Sequence, residues 1–196
     1  MSAASIYRTV LEQDLGRKRG SISEVIIDVY SCGSLKTPSS RLRWANYKGK
    51  FEERGYEFSF NVAKDFVYKR GVQTRPIRKA DIIVIQKVVF APWILKAFRK
   101  KSNFLLFDLD DAIWLPHSSR ISNKESSKQK LVNKWMDSSF LVFDKIIVSN
   151  EFLANYVRNF TNAIHVIPTS PSDNVVSKHR FAKQSSNRFT LGWTGT

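Results

Sequence analysis

The chain has 196 residues, of which 42% are hydrophobic, which is enough apolar material for one folded domain but not for two. Its 32 Lys and Arg against 17 Asp and Glu give a net charge of +15, which favours an anionic partner such as a membrane surface or nucleic acid. No apolar run approaches the roughly 20 residues of a membrane span, and no secretory signal is recognisable. Because Cys32 is the only cysteine, an internal disulfide is excluded, and the three scattered histidines give no zinc spacing. We expect a cytoplasmic protein without a metal or other cofactor.

The hydrophobic pattern predicts strands that alternate with helices along the chain. Pro92 is typical of a helix start and Gly55 of a helix stop. Because the predicted strands are continuously apolar, the pattern indicates an α/β fold whose parallel sheet has helices on both faces. The predicted strands cover residues 25–30, 56–60, 80–86, 104–107, 145–149 and 163–168, and the predicted helices cover 40–54, 92–99, 124–140 and 151–160.

Composition divides the chain into four parts. Residues 1–20 are a basic N-terminal extension with a short amphipathic stretch over 5–15. Residues 21–170 hold the complete α/β domain, and the polar, serine-rich residues 171–188 form a linker. We interpret residues 189–196 as the first strand and glycine turn of a second domain, whose remainder this sequence lacks.

Three carboxylates follow the apolar run of the fourth predicted strand. Phe104 to Phe107 leads directly into Asp108, Asp110 and Asp111, followed by Trp114. In open α/β sheets, ligands bind outside the carboxyl ends of the strands, where clustered acids repel one another unless something uses them. A strand end followed by an acidic helix cap is the structural alternative.

Other polar side chains follow predicted strands and are expected at the same edge of the sheet. Two serines and two arginines begin the first helix, where a plain N-cap and a solvated helix face are the alternatives. Asn150 and Glu151 follow the fifth strand, with a helix cap as the alternative. The candidates expected to line one cleft are Ser39, Ser40, Arg41, Asp108, Asp110, Asp111, Asn150 and Glu151, with Arg43 and Trp114 as further candidates.

The ordered set of motifs resembles the N-terminal half of family 4 glycosyltransferases, which have two Rossmann-like domains in a GT-B fold. The resemblance covers residues 24–196 in order. Its motifs are Thr37-Pro-Ser-Ser-Arg41 with Arg43, Asp81-Ile-Ile-Val-Ile-Gln-Lys87 with Pro92-Trp93, Phe107-Asp-Leu-Asp-Asp-Ala-Ile-Trp114, Val148-Ser-Asn-Glu-Phe-Leu-Ala154, Val166-Ile-Pro-Thr169 and Leu191-Gly-Trp-Thr-Gly195.

The resemblance implies that this chain is the acceptor-side domain of a glycosyltransferase. A glycan or lipid-linked acceptor would contact the candidates above, Trp114 either stacking on a sugar or packing. Asp108, Asp110 or Asp111 would bind acceptor hydroxyls, one of them as a base. The nucleotide-sugar donor belongs to the C-terminal domain, whose opening Gly192, Thr194 and Gly195 would meet its diphosphate without a metal. We therefore expect the chain to be inactive alone.

Two other classes of function compete with this interpretation. Phe107-Asp-Leu-Asp110 imitates the nucleophile and acid of haloacid-dehalogenase-like phosphatases, although the later acidic pair that would complete their magnesium site is missing. The Asp-x-Asp manganese motif of single-domain glycosyltransferases is a second imitation. The non-enzymatic alternative is a basic binding module.

The net charge also predicts a peripheral position on the inner face of the cell membrane. The expected contacts are Arg17, Lys18 and Arg19 beside the amphipathic stretch, and Arg99, Lys100 and Lys101 after the Pro92 helix. Nucleic acid is not the expected partner, because no helix-turn-helix, zinc-finger or RNP signature accompanies the charge. Charge that merely keeps the protein soluble is the alternative.

Overall fold

The structure is a computed structural model that describes residues 25–66, 75–115 and 127–170. Strands alternate with helices through these ranges, as the hydrophobic pattern predicts. The strands are β1 (Val25–Ser31), β2 (Tyr56–Val62), β3 (Ala80–Gln86), β4 (Ser102–Leu109), β5 (Lys145–Val148) and β6 (Ile164–Val166). The α-helices are α1 (Pro38–Arg43), α2 (Lys48–Glu52), α3 (Pro92–Lys101), α4 (Ser127–Ser139) and α5 (Glu151–Val157), and 3₁₀ turns cover Ala45–Tyr47, Ala63–Asp65 and Phe140–Val142.

The six strands form one parallel sheet in the order β2-β1-β3-β4-β5-β6. In the centre of the sheet, Val29 of β1 lies opposite Val84 of β3, which in turn lies opposite Leu106 of β4. This architecture confirms the predicted α/β fold of the Rossmann-like type.

The two faces of the sheet pack against different helices. Ile82 and Val84 of β3 belong to a buried cluster with Trp44, Tyr47 and Phe51 from the α1–α2 segment. Their neighbours Ile83 and Ile85 belong to a larger cluster with side chains of α3, α4 and α5. Successive strand residues point to opposite faces, so a continuously apolar strand requires cover on both sides, as the sequence indicates.

The predicted helix over 40–54 is broken in two. The chain leaves helical geometry at Trp44 (φ −131°, ψ −49°) and passes through a 3₁₀ turn before α2 begins. This break turns the indole of Trp44 and the ring of Tyr47 into the core, where both are buried. Packing therefore overrides the helical pattern here.

The expected signals at two helix ends are confirmed. Pro92 occupies the first turn of α3, where the helix has no use for its missing N–H. Gly55 follows α2 with φ +79°, a conformation that glycine adopts without steric cost.

The predicted strand over 104–107 is too short. β4 continues through Asp108 to Leu109, and both residues are completely buried. The other boundaries differ from the prediction by a few residues, which is the usual uncertainty of element ends. The largest of these differences within the described residues is at the end of α5, predicted over 151–160, which stops at Val157; β2 and β6, predicted over 56–60 and 163–168, each differ by at most two residues at an end.

Several expected features lie outside the described residues. They are the amphipathic stretch over 5–15, the cluster Arg17 to Arg19, the linker over 171–188 and the glycine turn with Gly192, Thr194 and Gly195. Within the described ranges, no helix has both the length and the apolar character needed to cross a bilayer.

Candidate functional site

The strand order places a topological switch point between β1 and β3. The chain passes from β1 outward to β2 and then returns to the other side of β1, so the connections after β1 and β3 leave in opposite directions. In doubly wound sheets, this point at the carboxyl ends of the strands forms a crevice that holds ligands. Ser31 and Gln86 are the last residues of the two strands at this crevice.

A buried hydrogen-bond network forms the floor of the crevice. Ser31 Oγ donates to Gln86 Oε1 at 2.7 Å and lies 2.5 Å from Ser40 Oγ. Because a hydroxyl has one proton, Ser40 is the donor to Ser31. Gln86 Nε2 donates to the backbone oxygen of Ser39 at 3.0 Å. The network fixes the start of α1 on the ends of β1 and β3, and it buries Ser40, which the sequence analysis expected to face an acceptor.

The sequence analysis expected all three acids to line an open cleft, but Asp108 does not. Its carboxylate is fully buried and forms an ion pair with the equally buried Arg43. Asp108 Oδ2 also accepts hydrogen bonds from Arg43 Nε at 3.1 Å and from Trp44 Nε1 at 2.7 Å. A buried charge is tolerated when it is paired and hydrogen-bonded in this way. Neither side chain has surface left to offer a ligand.

Arg43 also connects β4 to the segment after β6. Its Nη1 atom donates to the backbone oxygen of Ile167 at 2.6 Å and to Thr169 Oγ1 at 3.2 Å. The arginine expected on an acceptor-facing or solvated helix surface therefore joins α1 to the end of β4 and to the segment after β6.

Asp110 and Asp111 do reach the crevice. Asp110 Oδ2 accepts a hydrogen bond from Ser39 Oγ, and the Asp110 side chain retains 12% of its exposure. Its other oxygen, Oδ1, is buried and has no hydrogen-bond partner. The Asp111 side chain is exposed, at 66%. The crevice thus contains a carboxylate oxygen with unused hydrogen-bonding capacity, which a ligand reaches only when the side chains that cover it move.

Lys87 pairs with both carboxylates and offsets part of their negative charge. The sequence analysis did not include it among the site residues. Its Nζ atom lies 3.0 Å from Asp111 Oδ2 and 3.6 Å from Asp110 Oδ1. Burial lowers the pKa of the Lys87 ammonium, but the charges of Asp110 and Asp111 and a hydrogen bond to Asp111 outweigh it. The pKa therefore lies above its ordinary value. The sequence signal that could have identified Lys87 as a site residue is its position directly after the apolar strand β3.

The backbone of Lys87 adopts a left-handed conformation. Its φ of +55° is unusual for a residue other than glycine, and its N–H donates to the backbone oxygen of Asp108 at 2.9 Å. Such strain concentrates at functional sites, where the surroundings must hold it in place. Here the left-handed backbone of Lys87 occurs where its ammonium group lies close to both Asp110 and Asp111.

Arg41 lies on the exposed side of α1 and makes a contact within its own segment. Its Nη1 atom donates to the backbone oxygen of Leu35 at 3.4 Å. Cys32, which the sequence analysis used only to judge the compartment, is exposed and lies 3.9 Å (Sγ to Oγ) from Ser40. It comes directly after β1 and therefore borders the crevice.

Asn150 and Glu151 lie at the start of α5, as the helix-cap alternative predicts. Asn150 Oδ1 accepts from the backbone N–H of Leu153 at 3.0 Å, which caps α5. Glu151 is exposed and accepts from Arg158 Nη2 at 2.9 Å. The link to the crevice is Ser149, whose Oγ donates to the backbone oxygen of Asp110 at 3.1 Å.

Trp114 packs on a neighbouring aromatic ring. It stacks on Tyr156 with a centroid distance of 3.9 Å and an interplanar angle of 7°. Its backbone oxygen accepts from Asn133 Nδ2 at 3.2 Å, which joins the loop after β4 to α4. The stacked face is therefore occupied by Tyr156 and is not open to a sugar ring.

No group of three or more His, Cys, Asp or Glu side chains within residues 25–66, 75–115 and 127–170 is arranged to hold a metal ion. No protein-family model matches this chain, and no curated protein matches it either.

Proposed function

We propose that this chain is the acceptor-side domain of a GT-B glycosyltransferase, which binds a glycan or a lipid-linked sugar in the crevice between β1 and β3. The observation that carries the proposal is the group formed by Ser39, Lys87, Asp110 and Asp111 at the carboxyl ends of the strands. The ordered motifs that resemble family 4 glycosyltransferases supply the reaction class.

The chemistry of the crevice suits a hydroxyl-rich ligand. Asp110 Oδ1 makes no hydrogen bond and lies 3.6 Å from Lys87 Nζ. In the proposal it accepts a hydrogen bond from a sugar hydroxyl once the side chains that cover it move, while Ser39 holds the other oxygen of the same carboxylate. Lys87 offsets the negative charges, so a neutral hydroxyl can approach the two acids without a cation. A carboxylate can accept the proton of an acceptor hydroxyl, and Asp110 has this role in the proposal.

The nucleotide-sugar donor is assigned to a second Rossmann-like domain. The leaving diphosphate of such a donor needs backbone N–H groups and cations to stabilise its developing charge. The glycine turn with Gly192 and Gly195 would begin that site. In the proposal, the crevice therefore binds the acceptor, and sugar transfer requires the donor-binding domain as well.

The phosphatase alternative is disfavoured by the position of Asp108. A haloacid-dehalogenase-like reaction needs the first acid of Asp-x-Asp to attack a phosphate, but both Asp108 oxygens are occupied by Arg43 and Trp44. The manganese interpretation of Asp-x-Asp meets the same obstacle, since the Asp108 carboxylate has no exposed surface at which a shared metal could approach.

Ligand-detected NMR of the full chain against a panel of oligosaccharides tests the proposal. We expect binding of at least one glycan, weakened about 10- to 100-fold by Asp110→Asn, because a hydrogen bond to a charged group contributes about 1.5–3 kcal/mol. The matched control is Glu52→Gln on α2, outside the crevice, which should leave the affinity unchanged. The proposal fails if no glycan binds, if Asp110→Asn binds as well as the original chain, or if the chain hydrolyses p-nitrophenyl phosphate with Mg²⁺.

A further inference from the structure

The outward sides of α3 and α4 expose aromatic and aliphatic side chains. Trp93 at the start of α3 is 62% exposed, and Leu131 of α4 is 45% exposed. Trp93 meets Trp135 of α4 edge-to-face at a centroid distance of 5.8 Å, which joins the two helices. Both helices cover the same face of the sheet, so their outward sides form one continuous surface.

Four exposed lysines flank these apolar side chains. Lys96 and Lys100 follow Trp93 by three and seven residues, which places them on the same side of α3. Lys130 and Lys134 lie beside Leu131 on the exposed side of α4. We call this set, Trp93, Leu131, Trp135, Lys96, Lys100, Lys130 and Lys134, the α3–α4 surface.

The α3–α4 surface carries no opposing negative charge from its own helices. α3 contains no acid, and the one acid of α4, Asp137, accepts a hydrogen bond from Tyr156 at 2.8 Å on the side towards α5. Arg99 does not belong to the surface, because its guanidinium is paired with Asp144 and bonded to the backbone oxygens of Ser102 and Asn103. The sequence-based expectation that Arg99 contacts a membrane is therefore not favoured.

We propose that the α3–α4 surface docks on an anionic lipid bilayer. An exposed tryptophan and an exposed leucine on neighbouring helices can enter the interfacial region of a bilayer, where an indole is well accommodated. Lysines around them reach headgroup phosphates while their methylene chains stay against apolar material. The charge complementarity is strong, since the whole chain has a net charge of +15.

The composition of the α3–α4 surface favours lipid over nucleic acid. Base recognition relies on bidentate donors such as arginine and on concave grooves, whereas this surface offers lysines around an aliphatic side chain. The proposal rests on exposure and charge alone, and it is independent of the glycosyl transfer proposed for the crevice at the carboxyl edge of the sheet.

Sedimentation of the full chain with vesicles tests the proposal. Vesicles of equal parts phosphatidylglycerol and phosphatidylcholine should bind the chain, and vesicles of pure phosphatidylcholine should not. Each lysine near an anionic surface contributes about fivefold to binding, so replacing Lys96, Lys100, Lys130 and Lys134 by Gln should weaken it by several hundredfold, on the order of five to the fourth power.

The matched control removes the same charge elsewhere. Lys36, Lys48, Lys64 and Lys79 are exposed lysines outside α3 and α4, and their replacement by Gln should weaken binding far less. A second measurement uses brominated lipids, which should quench the fluorescence of the original chain more than that of Trp93→Phe. The proposal is wrong if the two quadruple variants bind equally, or if replacing Arg17, Lys18 and Arg19 by Ala abolishes binding while the α3–α4 quadruple variant retains it. It is also wrong if the chain binds RNA or DNA at a salt concentration at which it ignores anionic vesicles.

Discussion

The guanidinium of Arg43 and the carboxylate of Asp108 form an ion pair that has no exposed surface. The pair joins α1 to the centre of the sheet. It lies next to the crevice, but neither of its side chains is exposed there. Asp110, two residues further along the chain, has an oxygen at the crevice, Oδ1, that makes no hydrogen bond and lies 3.6 Å from Lys87 Nζ. Asp108 is thus a structural residue, and Asp110 is a candidate binding residue.

Removing the cation of this pair should destabilise the fold strongly. Arg43→Met leaves the charge of Asp108 buried without its partner, so we expect a loss of about 3–5 kcal/mol in the free energy of unfolding. The double variant Arg43→Met with Asp108→Asn should be more stable than Arg43→Met alone, because the second change neutralises the stranded charge. Urea denaturation followed by circular dichroism measures both.

The exposed pair of Lys48 and Glu52 on α2 is the control for this experiment. Its atoms lie 3.5 Å apart at i, i+4 spacing, with both side chains about half exposed. Lys48→Met should change the free energy of unfolding by only a few tenths of a kcal/mol, because solvent screens the pair. A cost at Arg43 no larger than that at Lys48 would contradict the structural role of the buried pair.

The sequence predicts the sheet well and the division between the two acids poorly. Continuous apolar strands, Pro92 and Gly55 are local signals, and each led to the observed element. Asp108 and Asp110 follow the same apolar run, and nothing local distinguishes them. The difference arises because Arg43, 65 residues earlier in the chain, turns inward to meet Asp108. A contact of that sequence separation leaves no periodic pattern.

A second prediction concerns the left-handed backbone of Lys87. Glycine normally destabilises an element relative to alanine, but at φ +55° the order should reverse, because alanine incurs the Cβ clash that glycine avoids. We expect Lys87→Gly to be about 1 kcal/mol more stable than Lys87→Ala. Both variants lack the ammonium, so their difference isolates the backbone.

Gly49 in α2 provides the opposite case. A Cβ built there meets no atom within 4 Å, and its φ is not left-handed. Gly49→Ala should therefore stabilise the protein by about 0.5–1 kcal/mol. If alanine is also the more stable residue at position 87, the left-handed conformation of Lys87 is not present in solution.

A third prediction follows from the raised pKa of Lys87. A base whose pKa is higher in the folded state contributes stability that is fully present below its unfolded pKa and is lost as the pH rises through the folded pKa. The ordinary value is 10.5, and the folded value lies above it. The difference in unfolding free energy between the original chain and Lys87→Met should therefore be constant from neutral pH to about pH 9 and should shrink at higher pH. Urea denaturation over a pH series measures this difference, and a difference that grows with alkalinity would contradict the assigned contacts.

The last prediction separates two neighbouring serines. Ser40 Oγ is buried and donates to Ser31, whereas Ser39 Oγ donates to Asp110 at the crevice. Ser40→Ala removes a buried hydrogen bond and should lower the free energy of unfolding by about 1 kcal/mol without affecting a glycan that binds to Asp110. Ser39→Ala should change stability less, because Asp110 keeps Lys87 nearby and some solvent contact. It should, however, weaken glycan binding about five- to tenfold, because the carboxylate loses the donor that orients it. Thermal unfolding and ligand-detected NMR on the two variants measure the two effects. The opposite pattern, with Ser40→Ala reducing affinity and Ser39→Ala reducing stability, would remove Asp110 from the proposed acceptor site.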